Sequence, residues 1–180
     1  LGYTQDSQRQ LMRRVGIDDA TWKSMVTMMF IATAVIILLL AVLMLRKLRA
    51  ARPDPVTFGI QVEAGNHSQV RQWLAEGLDP DYFADRIGTG LMIAAWYGDF
   101  PMMQLFVARG ADVNKANELG ERAIMHAAWQ GRDEAVRWLL ARGARVNSDA
   151  MQWSALHYAA FAGHGTVATL LLERGADINA

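Results

Sequence analysis

The sequence predicts an all-α protein, a solenoid of stacked helix-turn-helix units preceded by one transmembrane helix. Two observations carry this prediction. The first is a repeat: Gly-Ala-Asp-Val-Asn at 110–114 returns in related form at 143–147 and 175–179, and 77–81 is a degenerate earlier copy, at spacings of 33, 33 and 32 residues. A period in this range is typical of units that bury their apolar faces only by stacking on their neighbours. The second observation is an uncharged apolar run at 24–45.

The apolar run predicts a membrane-spanning helix. Residues 25–45 consist almost entirely of Met, Val, Ile, Leu, Ala and Phe. At about 1.5 Å per residue they span roughly 31 Å, close to a hydrocarbon core of about 30 Å. A secretory signal peptide is the alternative, but the run is longer than such a segment needs and lacks a cleavage site flanked by small residues. Trp22 and Lys23 precede the run, and residues that favour a membrane interface follow it: Arg46, Lys47, Arg49 and Arg52.

The run divides the chain into a juxtamembrane segment (1–23), the transmembrane helix (24–45), a basic and proline-containing linker (46–55) and the repeats (56–180). Four basic residues lie on each side of the helix. Those after it are packed closer together, which favours a cytoplasmic location for the repeats and an extracytoplasmic one for 1–23. The basic cluster of the linker could contact anionic lipid, although such charges are also ordinary flanks of a spanning helix.

Charge and composition exclude several classes of function. Residues 55–180 carry ten basic and fourteen acidic side chains. A phosphate-binding surface needs clustered Lys and Arg, so we do not expect nucleic acid as a partner. The chain contains no cysteine, which excludes disulfides, thiolate nucleophiles and cysteine-ligated zinc from it.

Two sets of glycines mark two helix ends in each unit. Proline at 53 and 55 ends the membrane helix. Beyond it, a second set of glycines lies twelve residues before the glycines of the repeated motif: Gly65, Gly98, Gly131 and Gly163. In the last unit Ser154 can cap a first helix, paired alanines at 159 and 160 allow close helix packing, and Val167, Leu170 and Leu171 follow at helical spacing. The predicted units are 56–81, 82–114, 115–147 and 148–180.

These residues resemble the ankyrin repeat, whose pattern combines an N-capping Thr, Pro-Leu-His, paired Ala, Gly-His, a Val-Leu-Leu helix and Gly-Ala-Asp-Val-Asn. The resemblance covers 82–180, with 56–81 as a divergent unit similar to an N-terminal cap. The units at 82 and 115 lack the Pro and His of the pattern, and we expect them to be less rigid. The chain ends after the last Asp-Ile-Asn without a polar closing unit. We therefore expect Leu170 and Leu171 to lack part of their packing and further repeats to follow.

The resemblance implies a protein-binding surface made of the first helices, on the concave face, and of the hairpin tips. The variable positions after the paired Ala are occupied by Trp96 and Tyr97, by Trp129 and Gln130, and by Phe161. The aromatic residues Trp96, Trp129 and Phe161 are expected to form a row that anchors a partner. The alternative is that these rings stack on one another and serve repeat packing. The tips add further candidates: Asp85, Arg86, Glu118, Leu119, Glu121, Ala150, Met151 and Trp153.

Neither catalysis nor metal binding is expected from this chain. His157 and His164 occupy positions of the repeat pattern, while His67 and His126 have no carboxylate or second histidine at a metal-ligand spacing. The glycines belong to the repeat turns, and there is no Ser-His-Asp order or phosphate-binding loop. We therefore predict no cofactor, no metal and no small-molecule substrate.

The first 22 residues are similar to the segment that precedes the last membrane helix of bacterial transglutaminase-like membrane proteins. In that family an extracytoplasmic catalytic domain lies upstream. The resemblance implies a bacterial inner-membrane location with the N-terminal side outside. Two functions therefore remain open: a membrane-anchored ankyrin module that binds a protein partner, or a regulatory or passive tail of a membrane enzyme whose catalytic domain precedes Leu1.

Overall fold

The computed structural model describes residues 14–16, 18–49, 52–84, 88–148 and 153–179. The chain divides into two compact units, 1–50 and 51–180, and each is considered by itself. The transglutaminase-like resemblance rests on residues 1–22, most of which lie outside the described part of the chain. Most of the predicted juxtamembrane segment 1–23 likewise lies outside the described residues.

The first unit contains one long helix, α1 (Asp19–Arg49). Asp18 precedes it and accepts a hydrogen bond from the backbone N–H of Thr21 at 3.1 Å, which caps the helix start. Within the apolar run, the hydroxyls of Thr27 and Thr33 donate to carbonyls one turn earlier at 2.7 and 3.0 Å, so neither needs water. The stretch Asp19–Leu45, whose most apolar 18-residue window has a mean hydropathy of 3.0, is long and apolar enough to cross a membrane.

The second unit is built from pairs of short helices. The first helices are α2 (Pro55–Glu63), α4 (Gly90–Tyr97), α6 (Ala123–Trp129) and α8 (Ala155–Phe161); the second helices are α3 (His67–Ala75), α5 (Phe100–Ala108), α7 (Asp133–Ala141) and α9 (Gly165–Glu173). First helices of successive units pack against one another, and each also packs against the second helix of its own unit. The predicted helical fold class is therefore confirmed.

One tip contains a feature that the all-α prediction did not include. Strands β1 (Phe83–Ala84) and β2 (Gly88–Thr89) pair antiparallel, with Phe83 opposite Thr89 and Ala84 opposite Gly88. This hairpin leads directly into α4, and Thr89 caps that helix by accepting from the backbone N–H of Met92 at 3.4 Å. The unit that starts at 82 therefore has a helix cap although it lacks the Pro and His of the repeat pattern.

The helix ends follow from the residues that the sequence places there. Ser154 caps α8: its hydroxyl accepts from the backbone N–H of His157 at 3.5 Å, and the Ser154 N–H donates to His157 Nδ1 at 3.2 Å. This reciprocal pair satisfies two donors at the start of the helix. By contrast, Arg122 at the start of α6 makes no side-chain capping bond. Gly98 ends α4 in the left-handed conformation with φ 71°, which glycine adopts without strain.

The last residue of the repeated motif ties each tip to the next. The Asn114 side chain donates to the Gly143 carbonyl at 2.9 Å and accepts from the Arg145 N–H at 2.8 Å. Asn147 makes the corresponding bonds to Gly175 and Asp177 at 3.3 and 2.9 Å. The repeated Asn is thus a connector between units, because one amide supplies both a donor and an acceptor.

The core runs continuously through the second unit. The paired alanines at 94 and 95 and at 127 and 128 are each at most 1 % exposed. Their small side chains let the first helices approach closely. In the last unit Ala159 is also buried, but Ala160 is exposed. The expectation that Leu170 and Leu171 lack packing is wrong: they are 2 % and 0 % exposed, because α9 packs against both α8 and α7.

Candidate partner-binding surface

Two of the predicted aromatic residues meet at the ends of successive first helices. Trp96 lies at the end of α4 and Trp129 at the end of α6; their ring centroids are 5.5 Å apart with an interplanar angle of 65°. Both rings are half-buried. An edge-to-face pair of this kind is favourable because the positive edge of one ring meets the negative face of the other. The two tryptophans therefore pack on one another and also present a surface.

The ring next to Trp129 is Tyr158, a residue that sequence reasoning did not select. The two rings are stacked at 4.9 Å and 21°. Trp153 follows at 5.4 Å from Tyr158, and Phe161 lies 5.2 Å from Trp153. The predicted row of three rings is thus a row of five, which we call the aromatic row: Trp96, Trp129, Tyr158, Trp153 and Phe161.

A helical signal could have identified Tyr158. It lies three residues before Phe161, and side chains three apart share one face of a helix. Ile93 and His126 occupy the corresponding positions before Trp96 and Trp129. His126 contacts Trp96 with ring centroids 5.9 Å apart, as Tyr158 contacts Trp129. Each ring therefore packs on a first-helix side chain of the next unit.

The backbone beneath the two tryptophans is held by the following unit. Arg132 Nε donates to the Trp96 carbonyl at 3.3 Å, and His164 Nε2 lies 3.0 Å from the Trp129 carbonyl. Arg132 and His164 occupy equivalent places in their units. These bonds fix the helix ends that carry the two rings.

Exposure separates the predicted residues into two groups. Phe161, Tyr97 and Trp153 are 71 %, 49 % and 48 % exposed, and Leu119 at its tip is 67 % exposed. Gln130 is half-buried, while Glu118 is exposed. Met151 lies outside the described residues, as do Asp85, Arg86 and Ala150. The exposed apolar side chains therefore include members of the aromatic row, Tyr97 beside the row and Leu119 at a tip.

Glu121, predicted at a tip, is turned toward the protein. Its Oε1 accepts from the Tyr158 hydroxyl at 2.7 Å, and its Oε2 accepts from Asn117 Nδ2 at 2.9 Å. Burial and the bond to Glu121 raise the pKa of Tyr158 to about 12, so the phenol keeps its proton and donates it. Glu121 is half-buried and links the tip of one unit to the first helix of the next.

His126 lies beside this carboxylate in a buried position. It is 6 % exposed, and its Nε2 is 3.7 Å from Glu121 Oε2, which is too long for a hydrogen bond. Neither ring nitrogen has a hydrogen-bond partner among the described residues. Burial lowers the pKa of His126 from 6.5, and the nearby Glu121 carboxylate opposes this with a smaller effect. The ring is therefore neutral at pH 7.

Two grooves open along the aromatic row. The smaller, of about 220 Å³, is lined by Glu63, Ile93, Trp96, Tyr97, Glu121, His126 and Trp129. The larger, of about 390 Å³, is lined by Leu119, Gly120, Glu121, Met125, Trp153 and Tyr158. Glu121 contributes to both. The row is therefore a grooved surface rather than a flat patch.

The fold brings carboxylates to two histidines where sequence spacing showed none. His67 Nε2 lies 2.7 Å from Asp99 Oδ2, and this pair joins the start of α3 to the cap of α5. His126 has Glu121 as a neighbour, as described above. Within the described ranges, no group of three or more His, Asp or Glu side chains is placed to hold a metal ion. The His67–Asp99 pair is therefore a close contact between two repeats, whereas His126 and Glu121 are neighbours without a hydrogen bond between them.

Comparisons with known proteins agree with the paired helices found in residues 51–180. A family model described as ankyrin repeats matches residues 91–180, half of the chain, as three copies. The matched range contains helices α4 to α9 apart from the first residue of α4. A search of curated proteins found no match to the chain.

Proposed function

Because the chain belongs to the ankyrin-repeat family, we propose that it captures a protein partner on the aromatic row and the adjoining tips. Ankyrin repeats act as protein-protein interaction modules and are typically not catalytic. The observation that carries the proposal is the series of exposed apolar side chains on this surface: Tyr97, Leu119, Trp153 and Phe161. Aromatic side chains beside grooves are the residues that most often anchor protein interfaces.

The aromatic row is already ordered by contacts within the chain. Trp129 is stacked on Tyr158 and packed on Trp96, so a partner would meet rings whose positions are fixed before binding. Such preorganisation reduces the entropy lost on association. The exposed rings at the rim, Tyr97 and Phe161, supply apolar area, and the grooves between the rings supply shape.

We further propose that α1 anchors these repeats in a membrane, with the repeats on the cytoplasmic side. The support is the length and hydropathy of Asp19–Leu45 and the dense basic flank at 46–52, which could also contact anionic lipid. A bacterial inner membrane is the location that the N-terminal resemblance favours.

The topology is tested by protease added to spheroplasts, whose outer membrane has been opened, and to lysed spheroplasts that carry the full chain with a C-terminal tag. We expect the tag to survive in spheroplasts and to be lost after lysis, because the inner membrane shields a cytoplasmic domain. Extraction at high pH should leave the chain in the membrane pellet. Loss of the tag in unlysed spheroplasts would contradict the cytoplasmic location, and release of the chain at high pH would contradict the membrane anchor.

Partner capture is tested by replacing exposed side chains of the surface. The variant Tyr97→Ala/Leu119→Ala/Phe161→Ala should retain less than about a tenth of the captured partner, since residues that anchor an interface each contribute roughly 2 kcal/mol or more. The measurement is quantitative mass spectrometry after cross-linking the full chain in cells. These three positions are preferred to Trp96 and Trp129, whose rings also hold successive units together.

The control replaces exposed or half-buried side chains on second helices, Leu172→Ala and Trp138→Leu. Circular dichroism and the solubility of each full-length variant in detergent should match the parent. If the surface variant captured the same partner at the parental level, the proposed surface would be rejected. Equal losses in both variants would also reject it, because the effect would then not be specific to the row.

A further inference from the structure

We propose that the smaller groove, which Trp96 and Trp129 help to line, binds the guanidinium of an arginine side chain on the partner. This inference rests on the proposed capture function and adds the chemistry of the group recognised. The groove combines aromatic rings with two carboxylates and a buried histidine that has no hydrogen-bond partner within the described ranges. Each of these features favours a planar cationic donor.

The aromatic side of the groove suits a cation. Trp96 and Trp129 stand at 65° to one another with centroids 5.5 Å apart, and Tyr97 lies at the rim, half exposed. Indole faces carry negative electrostatic potential and attract a cation placed over them. In the repeat 115–147, which also contains Trp129, the Arg142 guanidinium carbon lies 3.6 Å from the ring centroid of Trp138. This chain therefore already contains an arginine stacked on a tryptophan.

The polar side of the groove offers acceptors that the fold leaves incompletely used. His126 is buried, and its ring nitrogens have no hydrogen-bond partner in the described part of the chain. Its Nε2 lies 3.7 Å from Glu121 Oε2. A donor nitrogen at a normal bond length of about 2.9 Å can span two atoms with that separation. A neutral imidazole has one acceptor nitrogen, so Nε2 accepts in the tautomer that carries its proton on Nδ1. Both ring nitrogens are shielded, so the ligand N–H reaches Nε2 when a neighbouring side chain shifts, and it then satisfies a buried atom that is costly to leave unmet.

The charge of the lining selects a cationic group rather than a neutral one. Among the described residues, the lining includes two carboxylates, Glu63 and Glu121, and neither lysine nor arginine. The donors that hold Glu121 are the neutral Tyr158 hydroxyl and the neutral Asn117 amide. The chain from 55 to 180 carries fourteen acidic and ten basic side chains. A basic partner segment is therefore electrostatically complementary to this surface.

Guanidinium fits these features better than ammonium. It is planar, it stacks on aromatic rings, and its fork of N–H groups can reach two acceptors at once. It is also more weakly hydrated than an ammonium group, so less solvation is lost on entering a half-buried groove. The groove volume of about 220 Å³ accommodates one side chain.

The test uses two short peptides that differ at one position. Both consist of glycine and serine around a central residue, which is arginine in one and citrulline, its uncharged analogue of the same shape, in the other. Binding to the full chain in nonionic detergent is measured by calorimetry. We expect the arginine peptide to bind at least about tenfold more tightly, since cation-π and charged hydrogen-bond contributions together reach roughly 1.4 kcal/mol. Equal affinities would overturn the proposal.

Variants of the lining separate recognition from folding. Glu63→Gln changes an exposed carboxylate with little risk to the fold, and Glu121→Gln changes the inner one; each should reduce the preference for arginine several-fold. Trp129→Leu should remove most of the binding. The matched controls lie on second helices, Glu173→Gln and Trp138→Leu, and should bind as the parent does. Parental binding by both glutamate variants would contradict the assignment.

The outcome distinguishes this inference from the proposed function. If the variant Tyr97→Ala/Leu119→Ala/Phe161→Ala loses its partner while the peptides bind equally, the capture surface stands and the arginine site is rejected. A peptide with central lysine or trimethyl-lysine that binds more tightly than the arginine peptide would also reject arginine as the ligand. A clear arginine preference that is lost in Glu63→Gln and Glu121→Gln establishes it.

Discussion

Gly90→Ala is expected to lower the free energy of unfolding by about 3 kcal/mol, at the upper end of the usual effect of overpacking a core. Gly90 is the first residue of α4 and is buried. A Cβ at this position would lie 2.2 Å from Phe106 Cζ and 2.7 Å from both Cε atoms. Phe106 is completely buried and packs against Phe58 at 6.2 Å between centroids, so its ring has no free direction in which to move. Urea unfolding of the full chain, followed by tryptophan fluorescence, measures the loss.

A second glycine provides the matched control for this prediction. Gly165 is the first residue of α9, and a Cβ there would meet no atom of the described residues within 4 Å. Gly165→Ala should therefore leave stability unchanged or raise it by up to about 1 kcal/mol, because alanine favours the helix. Adding Phe106→Leu to Gly90→Ala should restore part of the loss by removing the ring atoms that clash. A Gly90→Ala variant as stable as the parent would contradict the close packing of α4 on α5.

Much of the fold follows from local residue patterns. The repeat spacing, the glycines at helix ends and the cap at Ser154 are properties of short segments, and the helices found there agree with them. The β1–β2 hairpin was not predictable in this way, because each of its strands has only two residues and no alternation marks them. The burial of Leu170 and Leu171 was also missed, since it depends on how α9 sits against α8 and α7.

In the candidate site, too, some features follow from the local sequence and others depend on contacts between repeats. The adjacency of Trp96 and Trp129 follows from their equivalent places in successive units, and equivalence can be read from the repeat. The role of Tyr158 depends instead on which side chain of the next helix reaches Trp129. The pairing of His67 with Asp99, 32 residues away, joins two units and leaves no signature in either segment. The chemistry of the groove could therefore be known only from the three-dimensional packing. The face of the repeats that carries the groove could be predicted from the sequence.

Gly131→Ala is expected to be the second strongly destabilising change, with a loss of about 3 kcal/mol from backbone strain and steric overlap together. Gly131 follows α6 with φ 63°, a conformation that disfavours any residue with a Cβ. The added Cβ would also lie 2.6 Å from His164 Nδ1 and 2.7 Å from its Cε1. Because His164 Nε2 is 3.0 Å from the Trp129 carbonyl, moving this ring also releases the helix end that carries Trp129.

The equivalent glycine of the next unit separates strain from overlap. Gly163 has φ 79°, yet in the part of the chain that the structure describes a Cβ there would meet no atom within 4 Å. Gly163→Ala should therefore show the strain alone, about 1 kcal/mol, and the difference between the two variants measures the overlap with His164. In the double variant Gly131→Ala/His164→Ala the overlap disappears, so the combined loss should be smaller than the sum of the single losses. Equal losses of stability for Gly131→Ala and Gly163→Ala in urea unfolding would show that His164 does not pack against this turn. That result would also contradict the role of the His164 contact with the Trp129 carbonyl in positioning Trp129.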